Sequence, residues 1–178
     1  MKSPCLVLAA LAAAGCAGTL QYPGNAEYVL AKGYDARRPA DVAVLPVAGD
    51  LPADAAEALR EALRRKLLEM RYATVRLREV DAAPDKFRPG GENAVLEISV
   101  KQWDDAALYG NGGVRFTAEA RLFGPGSLEV LYRGTVTDRP VRASDVATSM
   151  EDRPTTLAQA AAEAAGEVLG GLPVKGDG

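Results

Sequence analysis

The chain has 178 residues, with 21 lysines and arginines against 24 aspartates and glutamates, a formal net charge of −3. A mildly acidic chain without a basic block is ill suited to nucleic acid, whose binding rests chiefly on neutralising phosphates. It contains no histidine, which removes the commonest general base, the commonest metal ligand and every histidine-containing triad.

In chain order, Lys2 supplies one positive charge, residues 6–14 form a short apolar run, and Ala14 and Gly15 place small residues ahead of Cys16. The order is that of a secretory signal. Its apolar run is about nine residues long, against the roughly 20 that a helix needs to cross a bilayer. Leu11-Ala12-Ala13-Ala14-Gly15-Cys16 resembles the lipobox of bacterial lipoproteins, with Ala13 where most carry leucine. The resemblance implies a signal peptide over residues 1–15, cleavage after Gly15 and acylation of Cys16. Three acyl chains would hold the protein far more firmly than one, which gives only marginal binding at about 0.8 kcal/mol per buried CH₂. Ala17 in place of aspartate implies, by resemblance to enterobacterial sorting, the outer membrane, facing the periplasm. An ordinary cleaved signal followed by a chance cysteine is the alternative. Cys5 falls in the part to be removed, so a lipidated Cys16 would leave a fold without a disulfide.

Residues 16–39 show no clear periodicity and read as a lipidated tether that docks on the domain through Tyr22, Tyr28 or Tyr34. A single domain is expected over residues 40–173, with a C-terminal tail at 174–178. Val42-Ala43-Val44-Leu45-Pro46-Val47 predicts a strand buried on both faces, which Pro46 brings to an end. Asp50 as N-cap and Pro52 in the first turn open a helix whose apolar stripe is Ala55, Leu59, Ala62, Leu63, Leu67 and Met70. Arg64, Arg65 and Lys66 suit its C-terminal end, with Glu61 and Arg65 as an i,i+4 pair. A strand is expected over residues 73–80, and a loop over 81–93.

Three alternating strands follow. Leu96, Ile98 and Val100 share one face of the first. Val114, Phe116, Ala118, Ala120 and Leu122 share one face of the second, and Leu128, Val130, Tyr132 and Val136 one face of the third. Such alternation predicts an antiparallel meander with one buried and one wetted face. A last helix is expected from Thr156, paired with Gln159 in a capping box, and stopped by Gly170, Gly171 and Pro173. The fold class is therefore α/β (α+β). It is a two-layer sandwich with one mixed sheet of about five strands covered on one face by two helices.

Little here points to catalysis. Asp104-Asp105 and Glu151-Asp152 are neighbours in sequence, and such residues point apart; they read as solvated loop charges. Gly110-Asn111-Gly112-Gly113 lacks the Lys-Ser/Thr of a phosphate loop and precedes a strand, so it reads as a hairpin tip. No catalytic residue, no metal site and no cofactor is expected. The candidate partner-binding residues are Trp103, Tyr109, Val95 and Phe123, which alternation places on or near the wetted face. Cover by a loop or the tether is the alternative for them. The long loop over residues 138–154 is a second candidate.

Tyr34-Asp35, then Arg37-Arg38-Pro39, then residues 42–47 and an amphipathic helix, resemble a group of bacterial lipoproteins. It includes the curli-secretion lipoprotein, the outer-membrane activator of penicillin-binding proteins and related small uncharacterised lipoproteins. The resemblance covers roughly residues 34–169 in layout, and in residues only the strand–helix stretch. It implies a non-enzymatic envelope lipoprotein that binds or scaffolds another component of cell-wall synthesis or secretion, as a possible homo-oligomer. The alternatives are a lipopolysaccharide-transport assembly lipoprotein partnering an outer-membrane β-barrel and, further off, a periplasmic hydrolase using two carboxylates.

Overall fold

The computed structural model describes residues 19–22 and 26–176. Cys16 and the signal lie outside them. A single mixed sheet runs through the molecule in the order β1 (Thr19–Tyr22), β2 (Ala26–Leu30), β8 (Val130–Arg142), β7 (Gly113–Phe123), β6 (Ala94–Asp104), β3 (Asp41–Val44) and β5 (Ala73–Thr74), with the short β4 (Ala48–Gly49) also paired to β6. Two long helices, α2 (Ala53–Glu69) and α5 (Arg153–Leu169), pack against each other and against one face of the sheet. The architecture is α/β with one sheet and two main helices, as alternation and helical spacing predicted. The sheet is wider than the five strands expected.

The extra width comes first from the segment read as a tether. β1 (Thr19–Tyr22) and β2 (Ala26–Leu30) form an antiparallel pair, and β2 adds to β8 (Val130–Arg142) with Tyr28 opposite Gly134. Tyr28 and Tyr34 are core residues. The short helix α1 (Tyr34–Arg37) brings the Tyr34 hydroxyl 2.7 Å from that of Tyr72, whose own hydroxyl donates to Pro173 O at 2.7 Å. Residues 26–39 are thus built into the domain, and the boundary expected at residue 40 falls inside the packed fold.

β3 (Asp41–Val44) is buried on both faces: Val42 and Val44 join the main core, while Ala43 joins a second cluster on the far side of the sheet. Pro46 has no N–H to give a ladder, so β3 ends at Val44. The chain re-enters beside β6 as β4 (Ala48–Gly49), opposite Ser99 and Val100. Helix α2 starts after Pro52, so Asp50 is not its cap, and Glu61 pairs with Arg64 at 2.8 Å rather than with Arg65. All six residues of its predicted stripe are buried. Each fully buried leucine among them contributes on the order of 1.5–3 kcal/mol.

The end of α2 is a Schellman motif. Tyr72 N–H donates to Leu67 O and Arg71 N–H to Leu68 O, both at 2.9 Å. The left-handed position that usually holds glycine is occupied by Arg71, at φ 65°. The strand expected over residues 73–80 stops at once: β5 is Ala73–Thr74, and Leu77–Ala82 form helix α3. Leu77 packs against the main core and Val80, three residues on, belongs to the second cluster.

β6 (Ala94–Asp104), β7 (Gly113–Phe123) and β8 make the meander. Register shifts in β8's pairing leave Leu131 and Tyr132 both buried, and Leu128 lies outside the strand, fully at the surface. The sheet-facing side of α5 is largely alanine. At Gly134 this close approach is extreme, for a Cβ there would sit 2.2 Å from Val168 O. α5 begins three residues before the expected Thr156, which is itself buried, and Gln159 bonds Asp145 rather than closing a capping box.

Candidate interaction surface

Of the four residues singled out for binding, two do not reach the surface. Val95 and Phe123 are register partners on β6 and β7, as expected. They are 0% and 6% exposed, because Val80, Phe87, Leu45 and Val75 close over them to form the second apolar cluster. The cover is α3 together with the loop that follows it, which sequence patterning read as strand and open loop.

Trp103 is displaced for a different reason. A β-bulge between Val100 and Gln102 inserts one residue into β6 and reverses the alternation beyond it. Trp103 then pairs with Phe116 and packs against the main core, half-buried, with the indole nitrogen enclosed and without an acceptor. Tyr109 remains on the surface, 43% exposed, with its hydroxyl 2.9 Å from Met150 Sδ.

Tyr109 belongs to the connection between β6 and β7, which is longer than a two-residue hairpin. Residues Leu108–Asn111 form a helical turn, α4, closed by Gly112 at φ 69°. Asn111 Oδ1 accepts from Gly113 N–H at 2.9 Å, so the glycine-rich stretch is a turn and not a phosphate cradle. β8 continues to Arg142, which shortens the candidate loop to residues 143–152.

That loop, α4 and the N-terminal ends of α2 and α5 meet at one end of the domain. The residue that joins them is Arg153, whose guanidinium lies 2.8 Å from Asp105 Oδ2 and 3.0 Å from Asp54 Oδ2, with 18% of its side chain exposed. Sequence reading missed it, since Arg153 carries no signal other than its place before Pro154. Asp152 organises the loop. Its carboxylate accepts from the hydroxyls and amides of both Thr148 and Ser149. Those bonds, the hydroxyl of Thr148 foremost, hold it below the usual carboxylate range. A cleft of about 470 Å³ opens beside Met150, Pro154, Leu157 and Ala58, with Asp54, Glu57 and Arg153 on its polar side. Asp105 faces Arg153, while Asp104 accepts from Ala106 N–H. The adjacent acids therefore serve different partners and do not converge on a common substrate position.

No protein-family model matches the sequence, and no curated protein matches it. Solved structures do. A dodecamer of a PelC variant from Paraburkholderia phytofirmans superposes with a TM-score of 0.50 at 19% identity, covering 87% of this chain and 96% of that one. A second PelC dodecamer from the same organism gives 0.48 at 18% identity, over 74% of this chain and 86% of that chain. Lipoprotein GNA1162 from Neisseria meningitidis gives 0.44 at 19% identity, over 64% and 88%. At these identities the likeness is one of fold. Among the described residues no helix is long and apolar enough to cross a membrane.

Proposed function

We propose that the protein is a non-enzymatic lipoprotein of the bacterial envelope, anchored through acylated Cys16, whose domain works as a scaffold built from several copies of itself. The observation that carries this reading is the match, over nearly the whole of both chains, to a protein that forms a dodecamer. The lipobox-like run ending at Cys16 supplies the anchor. The sequence resemblance to the curli-secretion and penicillin-binding-protein-activator lipoproteins favours an outer-membrane site and a binding role.

The chemistry of the described surface supports binding over catalysis. Its best-defined polar constellation, Arg153 with Asp54 and Asp105, engages both of those carboxylates, and the one acid left beside it in the cleft, Glu57, has no second unpaired acid there to share acid–base work with. The test is chemical crosslinking in intact envelopes followed by purification of the acylated chain. A ladder of its own multimers is expected, converging on one size. A single band at the monomer mass, with no crosslinked partner of any kind, would contradict the scaffold role.

A further inference from the structure

We propose that the end of the domain bearing Lys32, Arg71 and Arg88 is seated on the headgroups of an anionic phospholipid bilayer, with the Arg153 end pointing away from it. This rests on the anchor at Cys16 and adds an orientation to it.

The first argument is chain length. Thr19 pairs with Val29, and Val29 with Arg133, so the start of β1 lies near the beginning of β8. Two residues separate Cys16 from Thr19, three steps that span at most about 11 Å. Arg142, at the far end of β8, lies roughly 30 Å along the strand from Arg133 at about 3.3 Å per residue. A lipid on Cys16 therefore holds the near end of the sheet close to the bilayer and keeps the far end out of reach, provided the strands stand upright.

The second argument is charge, which sets that posture. At the near end, Lys32 follows β2, Arg71 follows α2, and Arg88 lies in the loop that Gly90 N–H ties to Ser127 O at the β7–β8 turn. None of the three has a carboxylate partner among the described residues, and all are exposed. Carboxylates there are partly consumed, Glu129 by Arg37 and Asp35 by Arg38; Asp41, Asp85 and Glu92 remain. The far end carries fewer free cations: Arg142 is exposed there without a carboxylate partner among the described residues. Arg153 and Arg115 are engaged by Asp54, Asp105 and Asp138, and the exposed Asp145 and Glu151 lie beyond them. Basic side chains near an anionic leaflet are attracted to it within about a Debye length.

Two local features point the same way. Arg71 holds the left-handed position of the α2 cap, where glycine would relieve strain, so this strained position carries an exposed cation at the near end. Leu128, 74% exposed at the tip of the β7–β8 turn, stands at the same end, where an apolar side chain can enter the headgroup zone.

The test uses the full mature protein, purified from membranes and reconstituted into vesicles of phosphatidylcholine alone or with about one-third phosphatidylglycerol. Its lysines are labelled with an amine-reactive acetyl ester, and each site is quantified by mass spectrometry. Labelling of Lys32 and Lys86 is expected to fall at least fivefold in the anionic vesicles, with Lys101, higher on β6, unchanged. The fall should vanish in 0.5 M salt and in the double variant Arg71→Glu with Arg88→Glu. Equal labelling in both vesicles, or equal protection of Lys101, overturns the orientation while the acyl mass on Cys16 still supports the anchor. Absence of that mass overturns the anchor and the orientation with it.

Discussion

Trp103 faces Phe116 across the β6–β7 ladder, ring centroids 6.2 Å apart and planes inclined at 53°. The pairing exists because the bulge after Val100 turns the indole from the wetted face onto the helix-covered one. Truncation to Trp103→Ala should cost about 2 kcal/mol, less than a fully buried tryptophan because the ring is half-exposed. Trp103→Phe should be close to neutral, since it also removes an enclosed indole N–H without an acceptor. Urea denaturation followed by circular dichroism reads both, and a costly Trp103→Phe would mean that the N–H has a partner.

Gly134 marks the tightest contact between α5 and the sheet. A methyl group there would meet both Val168 O and the Tyr132 hydroxyl, which donates to that same carbonyl at 2.6 Å. Gly134→Ala is therefore expected to destabilise by about 3 kcal/mol. Gly166→Ala, on the same helix with nothing within 4 Å of its added carbon, should instead stabilise by about 0.5–1 kcal/mol. Thermal melts of the two variants should move in opposite directions.

Asp152 gives a pH dependence of definite sign. Its pKa is lowered in the folded protein by the Thr148 and Ser149 bonds, so it favours folding above the ordinary carboxylate value. That contribution is lost as pH falls through the lowered value. Asp152→Asn should melt at a lower temperature than the parent chain at neutral pH, and the two curves should converge on acidification. A gap that persists in acid would show that shape, not charge, is what the loop requires.

These positions also show what patterning reveals and what it hides. The two-sided burial of β3, the stripe on α2 and the first half of β6 follow from residue spacing alone, because each presents a regular period to the core. Trp103 was misplaced by a one-residue bulge, whose only trace is exposed Lys101 and Gln102 side by side. Val95 and Phe123 are covered by α3, whose short Leu77–Val80 spacing fits strand and helix about equally well. β2 went unread because Tyr28 alone among its five residues is fully buried. Arg153 was invisible, since its ion pairs join residues from three separate elements.

The strained cap offers a check on the membrane-facing end. Replacing Arg71 with glycine should raise stability by about 0.5–1 kcal/mol, because it removes the left-handed penalty. Arg71→Ala, which keeps the penalty, should not. If both variants match the parent in equilibrium denaturation, the backbone at Arg71 carries no strain and that part of the argument falls.

Native mass spectrometry of the full chain, extracted from membranes in mild detergent, tests the central claim most directly. The expected spectrum holds a single defined multimer whose subunits lack residues 1–15 and carry acyl mass at Cys16. A monomer, or subunits that retain residues 1–15 without lipid, would contradict it.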